Sequence, residues 1–301
     1  MRRALKTRIS ELRARCEQSF ESLRSCRLCP RVCGVDRLAG EVGFCGADGG
    51  ATVAAVSVHH GEEPPISGVR GSGTVFFSHC NMTCLFCQNY PISQMGVGKR
   101  MTTGELGDRL LLLERKGVHN VNFVTPTPHV PQLIGAILAA REKGFSLPVV
   151  YNTGGYDSME ALSLLDGVVD IYLPDMKYRS EELSGRASGA PDYGIHNLRA
   201  IAEMLRQVGP LQKGRKGFAS QGVLIRHLVL PERGEETERV LAFLRREYGR
   251  RIPISLMGQY FPAHRAKGVA GFGRKLSVDE YGRAIEAAQR LDLTNVFIQE
   301  I

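Results

Sequence analysis

The chain has no cysteine after Cys87, and it has no apolar run long enough to cross a bilayer, which argues against a membrane-spanning helix. Its basic start, residues 1–6, is followed by polar residues, and the lack of an apolar stretch there argues against a secretory signal. Eight cysteines in such a chain predict a reducing compartment, where clustered thiols bind metal more often than they form disulfides. We therefore expect a cytoplasmic protein with no membrane partner.

Aromatic residues are scarce at 7%, and none interrupts the basic cluster Lys213–Lys216. A protein that binds single-stranded nucleic acid normally interleaves such charges with aromatic side chains. We therefore interpret the cluster as an exposed loop and regard nucleic acid as a disfavoured partner, although the net charge of +8 leaves RNA open. With 301 residues, of which 43% are hydrophobic, the chain can bury the core of one large domain.

Three cysteines, Cys80, Cys84 and Cys87, lie close together in the chain. A four-iron cluster normally takes four cysteine thiolates, so this set would leave one iron free to bind a molecule other than protein. Zinc is the alternative, because it can also be held by three cysteines and a fourth ligand, and His79 is near enough in sequence to provide it. The sequence predicts a metal centre with an open position, and we expect the chemistry there.

A second group of cysteines precedes the first and consists of Cys26, Cys29, Cys33 and Cys45. Four thiolates complete the ligand set of a structural zinc site and equally that of a 4Fe-4S cluster. The spacing C-x2-C-x3-C-x11-C is typical of neither, so the sequence predicts a second metal centre and leaves zinc and iron–sulfur open. We assign residues 1–50 to an N-terminal helix and Cys-rich metal-binding segment, and residues 51–301 to a core domain.

Short apolar segments alternate with amphipathic helical segments through the rest of the chain. The predicted strands cover residues 51–58, 73–78, 119–124, 147–151, 168–173, 222–230, 252–257 and 295–299. The predicted helices include an N-terminal one with an apolar stripe from Leu5 to Leu23, and residues 103–116, 131–143, 197–208, 235–248 and 277–290. This alternation favours parallel strands joined by right-handed crossovers. We predict an α/β fold, a partial (βα)6 TIM-like barrel whose active site lies at the carboxyl ends of the strands.

The spacing C-x3-C-x2-C, with Phe86 directly before the last cysteine and a buried strand before the first, resembles the signature of the radical S-adenosylmethionine (radical SAM) superfamily. The resemblance implies a 4Fe-4S cluster on Cys80, Cys84 and Cys87 whose open iron binds S-adenosylmethionine (SAM). In that superfamily an electron from the reduced cluster cleaves SAM to a 5'-deoxyadenosyl radical. It further implies a reductant such as flavodoxin or ferredoxin as a partner.

Polar residues stand at the ends of the later predicted strands. Asn152 follows the third strand and is placed to hydrogen-bond a ribose or a carboxylate. Arg226 lies on the fifth strand, where it could pair with the methionine carboxylate of SAM. Asp175 and Lys177 follow the fourth strand, and the alternative to a cofactor contact is an ion pair at the rim that contributes little.

Two further candidate sites rest on sequence motifs that are less specific for a function. Thr125 and Thr127 stand in a proline-rich loop where many radical SAM enzymes carry Gly-Gly-Glu, and we predict that their hydroxyls or backbone carbonyls accept from the methionine ammonium group. A rigid strand-to-helix connection is the alternative. His264, after the sixth strand, is a candidate for substrate contact or proton handling, with a purely structural role as its alternative.

The runs Thr125–His129, Tyr151–Asp157 and Gln259–His264, together with the Asp-x-Lys element at Asp175, look like the pyruvate formate-lyase activating enzyme family and its PflX-like branch. The resemblance implies a radical SAM oxidoreductase with Lys177 and His264 as catalytic candidates. It also implies a protein substrate that loses hydrogen from a glycine Cα. Modification of RNA or of another protein residue, and a non-catalytic zinc or iron–sulfur scaffold, are the alternatives.

Overall fold

Strands and helices alternate along the chain, and the computed structural model describes residues 7–214 and 217–299. The strands are β1 (Ala51–His59), β2 (Ser72–Phe77), β3 (Lys99–Met101), β4 (Val121–Val124), β5 (Val149–Thr153), β6 (Ile171–Pro174), β7 (Gln212–Lys213), β8 (Ala219–Val223), β9 (Ile225–Leu228), β10 (Ile254–Met257) and β11 (Val296–Ile298). The helices longer than one turn are α1 (Ile9–Glu21), α2 (Thr103–Arg115), α3 (Val130–Glu142), α4 (Met159–Leu165), α5 (Glu181–Ser188), α6 (Tyr193–Val208), α7 (Gly234–Tyr248) and α8 (Val278–Arg290). Single turns occur at Pro64–Ser67 and Tyr90–Ser93.

The strands form two sheets that are joined along β6 and β9. The larger sheet has the order β3-β1-β2-β4-β5-β6-β8-β7, and the smaller one has the order β11-β10-β9. Strands β2, β4, β5, β6 and β8 run parallel, as do β9, β10 and β11. A bridge between Asp175 and Arg226 connects the end of β6 to β9. This topology confirms the predicted α/β fold class, a partial barrel of βα units with the strand carboxyl ends at one face.

Burial and capping explain the central elements. Every residue of β5 and β6 is buried, as expected for parallel strands that are covered on both faces. Helix α8 begins in a capping box, in which Ser277 Oγ accepts from the backbone N–H of Glu280 and the Glu280 carboxylate accepts from the backbone N–H of Ser277. The burial pattern of these strands and the capping box of this helix thus agree with the observed fold.

The loop between β1 and β2 closes the amino end of the barrel. Ile66 in this loop is fully buried in a cluster with Val150 of β5, Ile171 of β6 and Leu224, which lies between β8 and β9. The side chain of Asn120 donates a hydrogen bond of 2.8 Å to the carbonyl oxygen of Ile66. The loop is therefore part of the barrel interior, opposite the carboxyl ends of the strands.

The N-terminal helix packs on the same core as the barrel. Leu12 and Leu23 are fully buried and belong to one apolar cluster with Phe77 of β2. Cys16 packs against this cluster beside α3, which agrees with its interpretation as a small apolar residue of the stripe. The predicted stripe begins at Leu5, which lies outside the described residues.

Some predicted boundaries differ from the structure. The predicted strand over residues 222–230 is divided at Leu224, because the residues before it pair with β6 and those after it pair with β10. Helices α4 and α5 have seven and eight residues, too few for helical periodicity to identify them. Arg215 and Lys216 of the predicted basic loop lie outside the described residues. Among the helices of residues 7–214 and 217–299, none has the length and apolar character needed to cross a membrane.

Candidate active site

A cavity of about 490 Å³ opens at the carboxyl ends of the parallel strands. Its wall includes Asn152, Asp175, Lys177, Arg226, Cys84 and Cys87. The four polar residues predicted from strand ends therefore lie next to two of the predicted cluster ligands. Apolar side chains complete the wall, so charged groups and thiols share a partly apolar cavity.

Arg226 joins the acidic and amide side chains of the cavity. Its Nη2 atom lies 2.7 Å from Oδ1 of Asp175 and 2.6 Å from Oδ1 of Asn152. Lys177 forms an ion pair with the other carboxylate oxygen of Asp175. Burial raises the pKa of Asp175, but Arg226 and Lys177 outweigh this effect and hold the pKa below its usual value. Two cations therefore hold one ionised carboxylate in place at the strand ends.

Glu62 completes this network, and the sequence analysis missed it. Its Oε1 atom lies 3.4 Å from Nη1 of Arg226, and its Oε2 atom accepts hydrogen bonds from Asn122 at 2.7 Å and from Asn152 at 3.1 Å. Glu62 precedes β2, so a search of strand ends does not select it. The signal that could have found it is the pair Glu62 and Glu63 directly before a buried segment, because carboxylates at such a place need cationic or amide partners.

The loop after β2 carries the cysteine triad, defined as Cys80, Cys84 and Cys87, and all three thiols are free. The hydroxyl of Ser188 donates to Sγ of Cys84 at 2.9 Å, and Oγ of Ser93 lies 3.2 Å from Sγ of Cys87. Burial raises the pKa of the Cys84 thiol, and the ammonium group of Lys177 opposes this effect. Hydroxyl donors and a nearby cation stabilise thiolate charge, so the triad fits a metal-bound cluster.

No group of three or more His, Cys, Asp or Glu side chains in the described part of the chain has an arrangement that could hold a metal ion. A four-iron cluster takes one thiolate at each of three separate irons, so its ligands do not need to meet around one ion. The fit of the triad to such a cluster therefore rests on its donors, three free thiols of which Cys84 and Cys87 line the open cavity.

The cysteine tetrad, defined as Cys26, Cys29, Cys33 and Cys45, gathers in the segment before β1. Cys26 is buried, Cys33 is exposed, and the thiol of Cys29 interacts electrostatically with those of Cys26 and Cys45. Burial raises the pKa of Cys29 to about 12, so without a metal this group is a neutral thiol. A metal ion would have to displace its proton.

The predicted contacts Thr125, Thr127 and His264 do not line the cavity, and neither does Cys80. The hydroxyl of Thr127 is buried and donates to Oδ1 of Asp157 at 2.7 Å. Thr125 lies at the end of β4 with φ at 57°, which is strained for a β-branched residue. His264 stacks on Tyr90 with the ring centroids 4.6 Å apart. The contacts of these residues with a cofactor or substrate stay predictions.

Gly155, in the loop after β5, allows a close approach that a side chain would block. Its φ is +76°, and an added Cβ would stand 2.2 Å from Nδ2 of Asn197 and 2.3 Å from the carbonyl oxygen of Asp175. We expect Gly155→Ala to lower the free energy of unfolding by about 3 kcal/mol, from the left-handed conformation and the clash together. Gly144→Ala is the matched control, since its φ is +93° and nothing lies within 4 Å of the added atom. Urea denaturation measures both, and equal losses would contradict the clash.

Comparisons with known sequences identify the family. Residues 74–244 match the family model described as Radical SAM superfamily. The chain is 30% identical to the uncharacterized protein MJ0674 of Methanocaldococcus jannaschii over 91% of this chain and 77% of that protein. It is 25% identical to the uncharacterized protein MJ0808 of the same organism over 76% of this chain and 68% of that protein. This chain belongs to the radical SAM superfamily.

Solved structures agree on the fold. The chain resembles HydG, a maturase of the [FeFe]-hydrogenase, with a TM-score of 0.53 and 17% identity over 79% of this chain and 54% of that one. It resembles native anSMEcpe with bound AdoMet with a TM-score of 0.52 and 13% identity over 79% of this chain and 62% of that one. The chain spans about half the length of the first of these structures. At these identities the likeness concerns the barrel fold.

Membership of the superfamily implies an enzyme of radical chemistry with a 4Fe-4S cluster and SAM as cofactors. The cysteine triad would hold the cluster, because its three thiols are free, and those of Cys84 and Cys87 line the cavity and contact serine hydroxyls. When bound, the cluster supplies the electron for cleavage of SAM. The charged network of Asp175, Lys177, Arg226 and Glu62 lies against the same cavity.

Glu62→Gln should weaken the binding of SAM about tenfold, because a hydrogen bond to a charged group contributes about 1.5–3 kcal/mol. The amide keeps the shape of the side chain but removes the charge that faces Arg226. Equilibrium binding to the reconstituted protein measures the effect. Glu286→Gln, on the exposed face of α8, is the matched control and should leave the affinity unchanged. Equal affinities in both variants would show that Glu62 does not support the cofactor site.

Proposed function

We propose that this protein reductively cleaves SAM and directs the resulting 5'-deoxyadenosyl radical to a hydrogen atom of a protein substrate, as pyruvate formate-lyase activating enzymes do at a glycine Cα. The observation that carries the proposal is the cavity in which Cys84 and Cys87 stand beside Asp175 and Lys177. The Asp-x-Lys element at the end of β6 supports the activase-like branch, since it lies where a cofactor must approach the cluster ligands.

Each charged residue has a distinct role in this proposal. Asp175 accepts hydrogen bonds from the cofactor. Lys177 donates a hydrogen bond to the cofactor at the side of the cavity near Cys84. Arg226 already donates to Asp175, Asn152 and Glu62, so it acts first by positioning these side chains. Direct pairing of Arg226 with the methionine carboxylate requires the exchange of one of these partners.

The apolar part of the cavity wall protects the radical. Phe76, Phe86, Val124, Leu228 and Met257 face the same space as the charged network. Apolar walls exclude water, which strengthens the electrostatic contacts inside and prevents side reactions of a reactive intermediate. Their presence beside the triad supports radical chemistry over a purely structural metal site.

Two partners and one further centre belong to the proposal. A low-potential electron donor such as flavodoxin or ferredoxin supplies the electron, and a protein substrate supplies the hydrogen atom. The cysteine tetrad holds a second metal centre, zinc or iron–sulfur, because its four thiols gather in one short segment.

Anaerobic reconstitution with iron and sulfide, followed by dithionite and SAM, tests the proposed activity. We expect release of 5'-deoxyadenosine and methionine, measured by liquid chromatography, and no release when dithionite is omitted. A glycine peptide deuterated at Cα should pass deuterium into 5'-deoxyadenosine. A fully loaded cluster that yields neither product would exclude the activity, and cleavage without deuterium transfer would exclude glycine as the target.

A further inference from the structure

We propose that the cysteine tetrad holds a four-iron cluster that relays electrons from a protein donor to the cluster of the cysteine triad, with Arg37 as its buried counter-ion. The proposal rests on the proposed function, because the relayed electron is the one that cleavage of SAM consumes. It is carried by the surroundings of the tetrad sulfurs, by the burial of Arg37 and by a contact that joins the tetrad to the triad.

Backbone N–H groups face the sulfurs of the tetrad. The N–H of Phe44 lies 3.4 Å from Sγ of Cys33, and Gly43 lies so near that an added Cβ would stand 2.8 Å from the same sulfur. Backbone groups at Arg31 and Ala47 likewise contact the thiols of Cys29 and Cys45. Hydrogen bonds to the sulfurs are one of the features by which proteins set the potential of an iron–sulfur cluster.

Arg37 places a positive charge beside the tetrad and away from solvent. Its side chain is 1% exposed, its Nη1 atom lies 3.8 Å from Sγ of Cys26, and its remaining donors reach the carbonyl oxygen of Asp48 at 2.6 and 3.1 Å. Within the described residues no carboxylate lies within ion-pair distance of it, since the carboxylate of Asp48 pairs with Arg100 and acts on Arg37 only from a longer distance. A buried guanidinium without a close counter-charge is unfavourable. Metal-bound thiolates provide that negative charge, and neutral thiols do not.

Asn81 stands between the two groups of cysteines. Its Oδ1 atom lies 3.9 Å from Sγ of Cys80, and its backbone carbonyl accepts a hydrogen bond of 3.2 Å from Nε of Arg31, which lies between Cys29 and Cys33. One residue therefore contacts a ligand of the triad and the segment that carries the tetrad. His79, from the same loop, packs on Gly46, which directly follows Cys45, since a Cβ added to Gly46 would stand 3.2 Å from its Nδ1 atom. Direct contact between the segments that carry the two groups suits electron transfer, whereas a purely structural zinc site gains nothing from it.

The tetrad also reaches the surface, where a donor protein can approach. Cys33 is exposed, and Val32, Val42 and Phe44 near it expose 54%, 56% and 47% of their surfaces. One electron from a reduced flavodoxin or ferredoxin would reduce the tetrad cluster, which is oxidised again as the electron passes to the triad cluster. The same electron then enters the sulfonium C–S bond of SAM, which breaks to methionine and the 5'-deoxyadenosyl radical. One donor is oxidised for each SAM cleaved.

Iron and sulfide content of anaerobically prepared full-length protein tests the identity of the centre. We expect about eight irons per chain, and about four in the triple variant Cys80→Ala, Cys84→Ala, Cys87→Ala. Cys16→Ala is the matched control, because Cys16 belongs to neither group, and it should keep all the iron. Zinc or no metal in the triple variant would overturn the proposal.

Electron paramagnetic resonance (EPR) spectroscopy of the unsubstituted protein, compared with two variants that each keep one cluster, tests the contact. Two reduced clusters that share the contact of Asn81 should broaden each other's signals. The spectrum should differ from the sum of the signals of the triad variant and of a tetrad variant, Cys29→Ala with Cys33→Ala. A spectrum equal to that sum would overturn the relay.

Reductant dependence separates the relay from the proposed function. The tetrad variant with a loaded triad cluster should lose SAM cleavage with reduced flavodoxin and keep it with dithionite. Equal flavodoxin-driven rates in the variant and the unsubstituted protein would overturn the relay. Absence of cleavage by the unsubstituted protein with both reductants would instead overturn the proposed function.

The reduction potential of the tetrad cluster tests the role of Arg37. Arg37→Met should move the reduction potential of the tetrad cluster to more negative values, because the reduced cluster loses a stabilising positive charge. Arg37→Lys should restore most of the shift, since it keeps the charge. A potential that is the same in all three proteins, measured by EPR-monitored redox titration, would remove Arg37 from the relay.

Discussion

Cys84→Ala is expected to lower the formation of 5'-deoxyadenosine by about a thousandfold or more, the scale of loss when one member of a cooperating set of catalytic residues is removed. Cys84 lies in the cavity wall, and Ser188 and Lys177 both support its sulfur. With one thiolate missing, two ligands remain for a cluster that needs three. Iron content, the visible absorption of the cluster and product formation should fall together.

Cys16→Ala is the control for this experiment, because it removes the same thiol from a cysteine that packs on the core beside α3. It should keep the iron and the activity, with only a modest loss of stability. Circular dichroism of both variants separates loss of the cluster from loss of the fold. A Cys84→Ala protein that is folded, fully loaded with iron and fully active would contradict the assignment of the triad.

Arg226→Met is expected to lower the free energy of unfolding by about 3–5 kcal/mol, because it leaves charges buried without their partner. Arg226 and Asp175 are 14% and 11% exposed, and the side-chain oxygen of Asn152 loses its hydrogen-bond donor at the same time. Arg206→Met is the matched control, since Arg206 pairs with Glu203 and Asp166 but is 58% exposed. Exposed pairs of this kind contribute about 0–1 kcal/mol. Similar losses in the two variants, measured by urea denaturation, would contradict a special role of the buried network.

The pH dependence of stability gives an independent test of the same network. Burial raises the pKa of Asp175, and Arg226 with Lys177 lowers it further than burial raises it, so the folded-state pKa is below that of the unfolded chain. The carboxylate therefore stabilises the fold at pH values above its unfolded pKa, and this contribution is lost as the pH falls through the folded pKa. Asp175→Asn should be less stable at neutral pH and should lose less on acidification.

Much of the fold could be predicted because each parallel strand is a short apolar run between amphipathic helices. Strand β5 is buried on both faces and β6 follows the same pattern, so composition alone marks them. The rule that parallel strands share one carboxyl face then placed Asn152, Asp175 and Arg226 together, and the cavity contains all three. Prediction succeeded where one local signal and one topological rule sufficed.

The remaining features depend on contacts between distant segments. Glu62 joins the site from a loop that precedes the first parallel strand, and its partners lie 60 to 164 positions further along the chain. Thr127 follows a strand as expected, but the carboxylate of Asp157 draws its hydroxyl away from the cavity. Neither the contacts of Glu62 nor that of Thr127 can be predicted from a periodic pattern, because a hydrogen bond between distant residues leaves no local pattern in the sequence.

The closed amino end of the barrel has a kinetic consequence. Ile66 and the buried residues around it fill the barrel interior at this end, and we expect cofactor and substrate to enter the cavity from the side of the strand carboxyl ends. When cofactor and substrate enter a cavity through the same opening, the molecule that binds deeper must bind first. Steady-state rates should then follow an ordered sequential law, with methionine and 5'-deoxyadenosine released last. A saturating concentration of the proposed protein substrate should trap these products and inhibit its own turnover.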